Sequence, residues 1–314
     1  MRRAYAARMK LAGQDIAVTG ATGFLGGYLC EELLARGAAV RGVVRSPTKG
    51  AWLAGLGVRL EVGELGDEDS LVEAFRGADA VVANAALSVR GQDPPLRAYE
   101  EANVEGCARQ LRAASRAGVR RVILVSSIAV YRVRLWTKIA EDHEQVREQV
   151  ARWGLSRLTT NWKYSVSKQR GEARAWELAE ELGLELTALR PGPIYGGRDH
   201  KLTAEYRARL GGSVALAPTM GLPHVHAADV AVACGGALDD PISVGRAYNV
   251  AGPRTSPFEA LTALGAALGS SCRVLPIPVP LWVEFDDSAA TRDLGYRPRS
   301  VVEGMLEVAS VVAA

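Results

Sequence analysis

The chain has 314 residues, 48% of them apolar and 23% charged, with a formal net charge of +3. That balance suits a globular fold with a sizeable core and excludes both a disordered polyelectrolyte and a strongly basic nucleic-acid surface. Four scattered cysteines, Cys30, Cys107, Cys234 and Cys272, suggest neither a disulfide framework nor a metal site, and no apolar run approaches the roughly 18 residues of a membrane span. A reducing, cytoplasmic setting is the expectation, with residues 1–12 as a loose N-terminal extension.

Short β-branched runs alternate with helical segments over the first 190 residues. Strands are predicted at Asp15–Thr19, Ala39–Val44, Val58–Val62, Ala80–Ala83, Arg121–Ser126 and Glu185–Leu189. Helices are predicted at Phe24–Arg36, Asp67–Phe75, Leu96–Ala117 and Lys163–Leu182. Runs apolar on both faces, such as Val122–Val125, belong in a doubly covered parallel sheet, so the fold class is α/β, a doubly wound Rossmann sheet. After Arg190 the rhythm breaks at Pro191-Gly192-Pro193 and Gly196-Gly197. Short strands at His224–His226, Ala247–Val250 and Arg273–Ile277 then mix with helices near Phe258–Leu268 and Val301–Val311. The expected division is a dinucleotide-binding domain of residues 13–192 plus 224–251, and a smaller substrate-binding lobe of residues 193–223 plus 252–314.

Thr19-Gly20-Ala21-Thr22-Gly23-Phe24-Leu25-Gly26 ends a predicted strand and opens a predicted helix. Glycines there permit a tight turn, close backbone approach and helix–strand packing, while the helix N-terminus offers N–H groups to a pyrophosphate. Gly20, Thr22, Gly23, Phe24, Leu25 and Gly26 are therefore cofactor-binding candidates. A residue about 20 positions on ordinarily distinguishes NAD from NADP, an acid holding the ribose hydroxyl and an arginine the 2′-phosphate. Arg45 stands there with Arg41 and Lys49 nearby, which favours NADP(H) while leaving NAD(H) open. Glu64 is placed to reach the adenine ring.

Tyr164 and Lys168 share one face of a predicted helix. A free phenol titrates at about pH 10, and a neighbouring ammonium favours its ionised form, which suits proton exchange with an alcohol or ketone. Ser127, at the carboxyl end of a buried strand, can hold a carbonyl oxygen in the crevice where parallel sheets bind ligands. Asn84-Ala85-Ala86 ends another strand on that side, next to the expected cofactor.

The ordered series Thr19–Gly26, Gly63-Glu64-Leu65, Asn103-Val104-Glu105-Gly106, Val125–Tyr131, Tyr164–Lys168, Leu189–Gly196, Val225–Asp229, Tyr248-Asn249-Val250 and Asp293–Tyr296 resembles the extended short-chain dehydrogenase/reductases, the NAD(P)-dependent epimerase/dehydratase superfamily. The resemblance implies that Ser127, Tyr164 and Lys168 are catalytic, with Lys168 also on the nicotinamide ribose. It implies cofactor contacts at Leu65, Asn103, Pro191, Gly192 and Ile194, substrate contacts at Leu87 and Pro193 beside Ser127 and Tyr164, and no metal. It also implies a homodimer through helices near 96–117 and 163–182.

Departures from the family pattern narrow the reaction. Ile128 and Ala129 stand where sugar dehydratases of the family carry proton-transferring Asp-Glu, and Met220-Gly221-Leu222-Pro223 lacks the usual diphosphate grip. Arg45-Ser46-Pro47 resembles the NADPH-dependent ketone-reductase branch that includes dihydroflavonol reductases. The reading is an NADPH-dependent reductase of a ketone or aldehyde on a mid-sized, fairly apolar small molecule. The alternatives are a sugar epimerase working by transient oxidation and a non-catalytic NADP-binding sensor. A proline-free segment, Arg132–Trp162, separates the serine from the tyrosine. Ile139, Val146, Val150 and Trp153 recur at helical spacing, predicting an extra amphipathic helix over the active-site mouth or on the outside. His143, Trp136 and Trp162 are candidate substrate contacts.

Overall fold

Apolar runs flanked by glycine turns cannot bury both faces alone, and in the computed structural model they line up side by side. Residues 11–88, 94–148, 161–199 and 202–313 are described. The chain begins with β1 (Asp15–Thr19), α1 (Phe24–Ala35), β2 (Ala39–Val44), α2 (Pro47–Gly55), β3 (Arg59–Val62), α3 (Glu68–Phe75) and β4 (Ala80–Ala83). It continues through α4 (Leu96–Glu100), a π-helical turn at Glu101–Glu105, α5 (Gly106–Arg116), β5 (Arg121–Val125), β6 (Lys138–Ile139), α6 (Trp162–Leu182) and β7 (Glu185–Pro191). The remainder is β8 (Ile194–Tyr195), α7 (Leu202–Leu210), β9 (Val214–Pro218), β10 (Val225–His226), α8 (Ala227–Asp239), β11 (Arg246–Val250), α9 (Pro257–Ala267), β12 (Arg273–Ile277), β13 (Glu284–Phe285), α10 (Ser288–Leu294) and α11 (Val301–Ala313).

Seven strands form one parallel sheet in the order β3-β2-β1-β4-β5-β7-β11. Strand side chains alternate between two cores, as a period of two requires. Ile16, Val18, Ala80 and Val82 face α1 and α8, while Ala17, Val81 and Ala83 face α3, α5 and α6. The chain leaves β1 toward β3 and returns to β4 to build the other half. A crevice therefore opens between the carboxyl ends of β1 and β4.

The lobe outside the sheet has its own core, where Tyr206, Leu210, Leu261, Leu264, Met305 and Val308 from α7, α9 and α11 meet Ala215 and Ala217 of β9. The segment Ser288–Tyr296 joins the sheet side instead. Leu294 and Tyr296 are buried with α8, and a Cβ on Gly236 would fall 2.0 Å from the Leu294 carbonyl oxygen.

Two sequence expectations need correction. The segment from Ile139 to Val146 is not helical: Lys138–Ile139 form β6, parallel to β13, and Tyr131 bridges Gln145. Ile139 and Val146 are buried in two separate apolar clusters along an extended strap, which helical spacing alone cannot distinguish; Val150 and Trp153 lie outside the described residues. The continuous helix over Leu96–Ala117 is interrupted by the π turn. Helices α2 and α8 were not anticipated, the latter because its Gly235-Gly236 pair and all-apolar run mask any helical period.

Candidate active site

The glycine turn sits at the end of β1. Gly20 has φ +63, and a Cβ there would lie 3.0 Å from the Ala85 Cα. At Gly26 a Cβ would stand 2.2 Å from the Gly20 carbonyl oxygen, so α1 reaches the turn only because both positions lack side chains. Gly23 caps α1 without a side-chain bond, and the first turn holds no acid. Its N–H groups and partial positive charge face the crevice, which fits a dinucleotide diphosphate. Thr22 is exposed, Phe24 half-buried and Leu25 buried.

A buried polar latch holds this turn to β4. Thr19 Oγ1 donates to Gln110 Oε1 at 2.6 Å and accepts the N–H groups of Asn84 and Ala85, each at 3.0 Å. Asn84 Nδ2 donates to the carbonyl oxygens of Thr19 and Gly20 at 3.2 and 3.4 Å. Sequence reading missed the roles of Thr19 and Gln110; the available signal was a glutamine on an otherwise apolar helix face.

Arg45 and Lys49 lie exposed at the end of β2 and the start of α2, with no ion pair to either among the described residues. Ser46 precedes α2 without making a capping bond. Arg41 does not join them: it is buried and donates to the Asp15 carboxylate at 2.6 and 2.5 Å, tying β2 to the start of β1. Glu64 is exposed, its N–H donating to Ser70 Oγ at 3.1 Å, while Leu65 packs over Gly106 of α5.

Ser127, Tyr164 and Lys168 come together between β5 and α6. Asn161 caps α6, its Oδ1 accepting the N–H groups of Lys163 and Tyr164 at 3.0 and 3.4 Å, so Tyr164 occupies the first turn. Ser127 caps the short turn Ile128–Val130, its Oγ accepting the Ala129 N–H at 3.1 Å, and its hydroxyl interacts with the Tyr164 phenol. Burial raises the Tyr164 pKa, opposed by the Ser127 hydroxyl and aided by Tyr99, whose ring packs edge-on 6.2 Å away. Lys168 follows one turn later and donates to the Val125 carbonyl oxygen at 2.9 Å. Burial lowers its pKa, against the influence of Cys107 and Glu172. The serine hydroxyl thus bears on the phenol, and the lysine is anchored at the end of β5, two residues before the serine.

Beneath this trio lies a buried network. Ser126 Oγ donates to Glu172, and Arg190 donates to Glu172 Oε1 at 2.5 Å, to the Tyr131 oxygen at 2.5 Å and to the Glu141 carbonyl oxygen at 2.9 Å. Tyr131 in turn donates to Asn249 Oδ1 at 2.7 Å. Glu172 sits one turn beyond Lys168; an acid at that spacing on a buried face was the overlooked signal.

Asn103, within the π turn, accepts the Leu87 N–H at 2.7 Å and donates to the Leu87 carbonyl oxygen at 3.0 Å and to Ser167 Oγ at 2.9 Å. It ties the loop carrying Ala86 and Leu87 to α6. π turns are frequent where a helix must aim one side chain at a site. Pro191 and Gly192 are buried at the end of β7, where a Gly192 Cβ would lie 2.1 Å from the Pro223 carbonyl oxygen. Pro193 is exposed, and Ile194 pairs with Val225. Trp162 packs on Val146 and Val166, and His143 stands edge-on to Tyr131 with ring centroids 6.3 Å apart. A small cavity beside Lys168 is bounded by Ala85, Asn103, Cys107, Gln110, Ser126 and Glu172.

Residues 16–251 match the model of the NAD dependent epimerase/dehydratase family. The chain belongs to this family. It is 34% identical over 196 residues to cinnamoyl-CoA reductase 1 of Petunia hybrida, a match covering 59% of the chain and 56% of that protein. It is 30% identical over 248 residues to tetraketide alpha-pyrone reductase 2 of Arabidopsis thaliana, covering 73% of the chain and 75% of that protein. The match thus spans little more than half of the petunia relative's length. A solved UDP-glucuronic acid 4-epimerase from Bacillus cereus, in complex with NAD, shares the fold at a TM-score of 0.76 and 21% identity, with 95% of this chain and 96% of that one covered. Within the family the resemblance to the extended reductases stands, and among the described residues no helix is long and apolar enough to cross a membrane.

Proposed function

We propose that the chain is an NADPH-dependent oxidoreductase that reduces a ketone or aldehyde on a mid-sized, fairly apolar molecule, or oxidises the corresponding alcohol. What supports this reading is the gathering of Ser127, beyond the carboxyl end of β5, and Tyr164, in the first turn of α6, one helical turn from Lys168 and close to the loop after β4. A bound nicotinamide would supply hydride to the carbonyl carbon. Ser127 orients the carbonyl oxygen, and the neutral Tyr164 phenol delivers a proton to it. Lys168 lines one cavity with Ala85 and Ala86, where it would hold the nicotinamide ribose.

Gly20, Gly23 and Gly26 would hold the diphosphate. The preference for NADP(H) is supported by Arg45 and Lys49, two exposed cations flanking an uncapped helix start, with no acid on that strand end. The reductase names of the relatives support the reaction class. The same reading keeps a homodimer through the helices near 96–117 and 163–182, which sedimentation would check.

The test is NADPH and NADH oxidation across ketones, aldehydes and nucleotide sugars. Consumption with apolar ketones, lost in Tyr164→Phe, is expected. Turnover of nucleotide sugars alone, with no net NADPH consumption, would overturn the reading in favour of epimerisation.

A further inference from the structure

Trp136 has φ +57, the one non-glycine residue with positive φ among those described, and is 59% exposed. That conformation is strained for a bulky residue and persists only where the surroundings enforce it. The enforcement is visible: Trp136 N donates to the Trp282 carbonyl oxygen, and its indole N–H to the Pro280 carbonyl oxygen, both at 2.9 Å. An apolar ring is thereby held outward in water with its polar atoms already satisfied.

Next to it the Arg254 guanidinium lies over the Trp282 ring, 5.0 Å from the centroid. Gly221 makes the room, since a Cβ there would stand 2.5 Å from Arg254 Cγ and 3.1 Å from Trp282 Cβ. Nearby cations are balanced: Arg132 and Arg134 by Glu144 at 3.0 and 3.6 Å, Lys138 by Asp286 at 3.3 Å. Arg254 is exposed and has no carboxylate partner among the described residues.

This platform continues from the catalytic hydroxyl. Ile128, the neighbour of Ser127, belongs to an apolar cluster with Val133, Leu222 and Val283. Leu222 adjoins Gly221, Val283 adjoins Trp282, and Gly221 pairs with Trp282. One packed apolar cluster therefore links the Ser127 segment to the surface that carries the exposed Trp136 indole and the Arg254 guanidinium.

Resting on the reductase reading, we propose that Trp136, Trp282 and Arg254 form a distal subsite for a planar aromatic carboxylate at the far end of the substrate. A guanidinium lying on a ring keeps its edge donors for a planar anion, while the outward indole offers a stacking face. A neutral aliphatic end would gain little from either.

The experiment compares aryl ketones that differ only at the far end: unsubstituted phenyl, phenyl carboxylate and phenyl trimethylammonium. The wild type is expected to favour the carboxylate in kcat/KM, and Arg254→Gln to lower the carboxylate-to-phenyl ratio about tenfold. Arg254→Glu should shift preference toward the cationic ketone, a reversal that misfolding cannot produce. Separately, the carboxylate ketone should quench tryptophan fluorescence in Tyr164→Phe and lose that quench in the same background with Arg254→Gln. If no ketone is reduced while the quench persists, the reductase reading fails and the subsite stands. An unchanged ratio together with an Arg254-independent quench overturns the subsite.

Discussion

Arg190 Nη2 donates to Glu172 Oε1 at 2.5 Å, and the two side chains are only 5% and 1% exposed. An ion pair this dry is held together by what it would cost to separate, because either member alone is a buried, uncompensated charge. Glu172→Ala should therefore lower unfolding stability by about 3–5 kcal/mol. Replacing both residues with leucine should cost less than the single change. A urea series on the single and double variants checks the order; a Glu172→Ala loss below about 1 kcal/mol would mean the network is idle.

Cofactor choice should follow Arg45. A charge-assisted bond to phosphate contributes about 1.5–3 kcal/mol, so Arg45→Asp should lower the NADPH-to-NADH ratio of kcat/KM by roughly 10- to 100-fold. Steady-state rates with each nucleotide decide it, and an unchanged ratio rules out this arginine as the selector.

The phenol should contribute no loss to the pH profile of reduction through neutrality. Burial holds the Tyr164 phenol above its ordinary value of 10.0, so it stays protonated and able to donate across that range. Burial shifts Lys168 the other way, below 10.5. Tyr164→Phe should reduce kcat by about 10²–10⁴ while NADPH still binds, measured by turnover and nucleotide fluorescence.

Gly171 is where α6 crosses the π turn, and a Cβ there would stand 2.1 Å from the Asn103 carbonyl oxygen. Backbone cannot yield as a flexible side chain does. Gly171→Ala should cost about 1–3 kcal/mol and disturb the Asn103–Ser167 bond as the helices separate. A thermal melt with parallel kinetics tests this; wild-type values for both would contradict the crossing as described.

Glu307 of α11 accepts from Tyr28 at 3.1 Å and from Gly197 N–H at 3.2 Å, and lies 2.9 Å from His226 Nε2. Burial works to raise its pKa, but these partners outweigh it and hold it below 4.5. A carboxylate lowered on folding stabilises fully above its unfolded value and loses that contribution as pH falls through the folded one. The stability gap between wild type and Glu307→Gln should thus be widest above pH 4.5 and narrow in acid. A gap independent of pH would show that charge is not what this residue contributes.

The sheet was legible because strands buried on both faces must be short, apolar and β-branched, and β1, β2, β4 and β5 meet that description. So was the glycine turn, since backbone contact leaves no choice of residue at Gly20 and Gly26. Less readable was whatever depends on distant segments meeting. Glu172 and Arg190 are neighbours only because α6 packs behind β7. The spacing of Ile139 and Val146 points to a helix, because burial in two separate clusters along a strap mimics one face of a cylinder. Arg41 read as part of a cationic cluster, yet its strand neighbour Asp15 claims it.

The π turn at Glu101–Glu105 carries a consequence for how this chain tolerates change in length. Each residue of an α-helix advances the face by about 100°, so the wider turn amounts to one extra residue absorbed without breaking the rod. Deleting one of those five positions should relax the bulge to an ordinary α turn and leave Tyr99 on its face toward Tyr164, while disturbing the bonds of Asn103 to Leu87 and Ser167. A lineage that shortened this stretch would have to rebuild the tie between the Leu87 loop and α6.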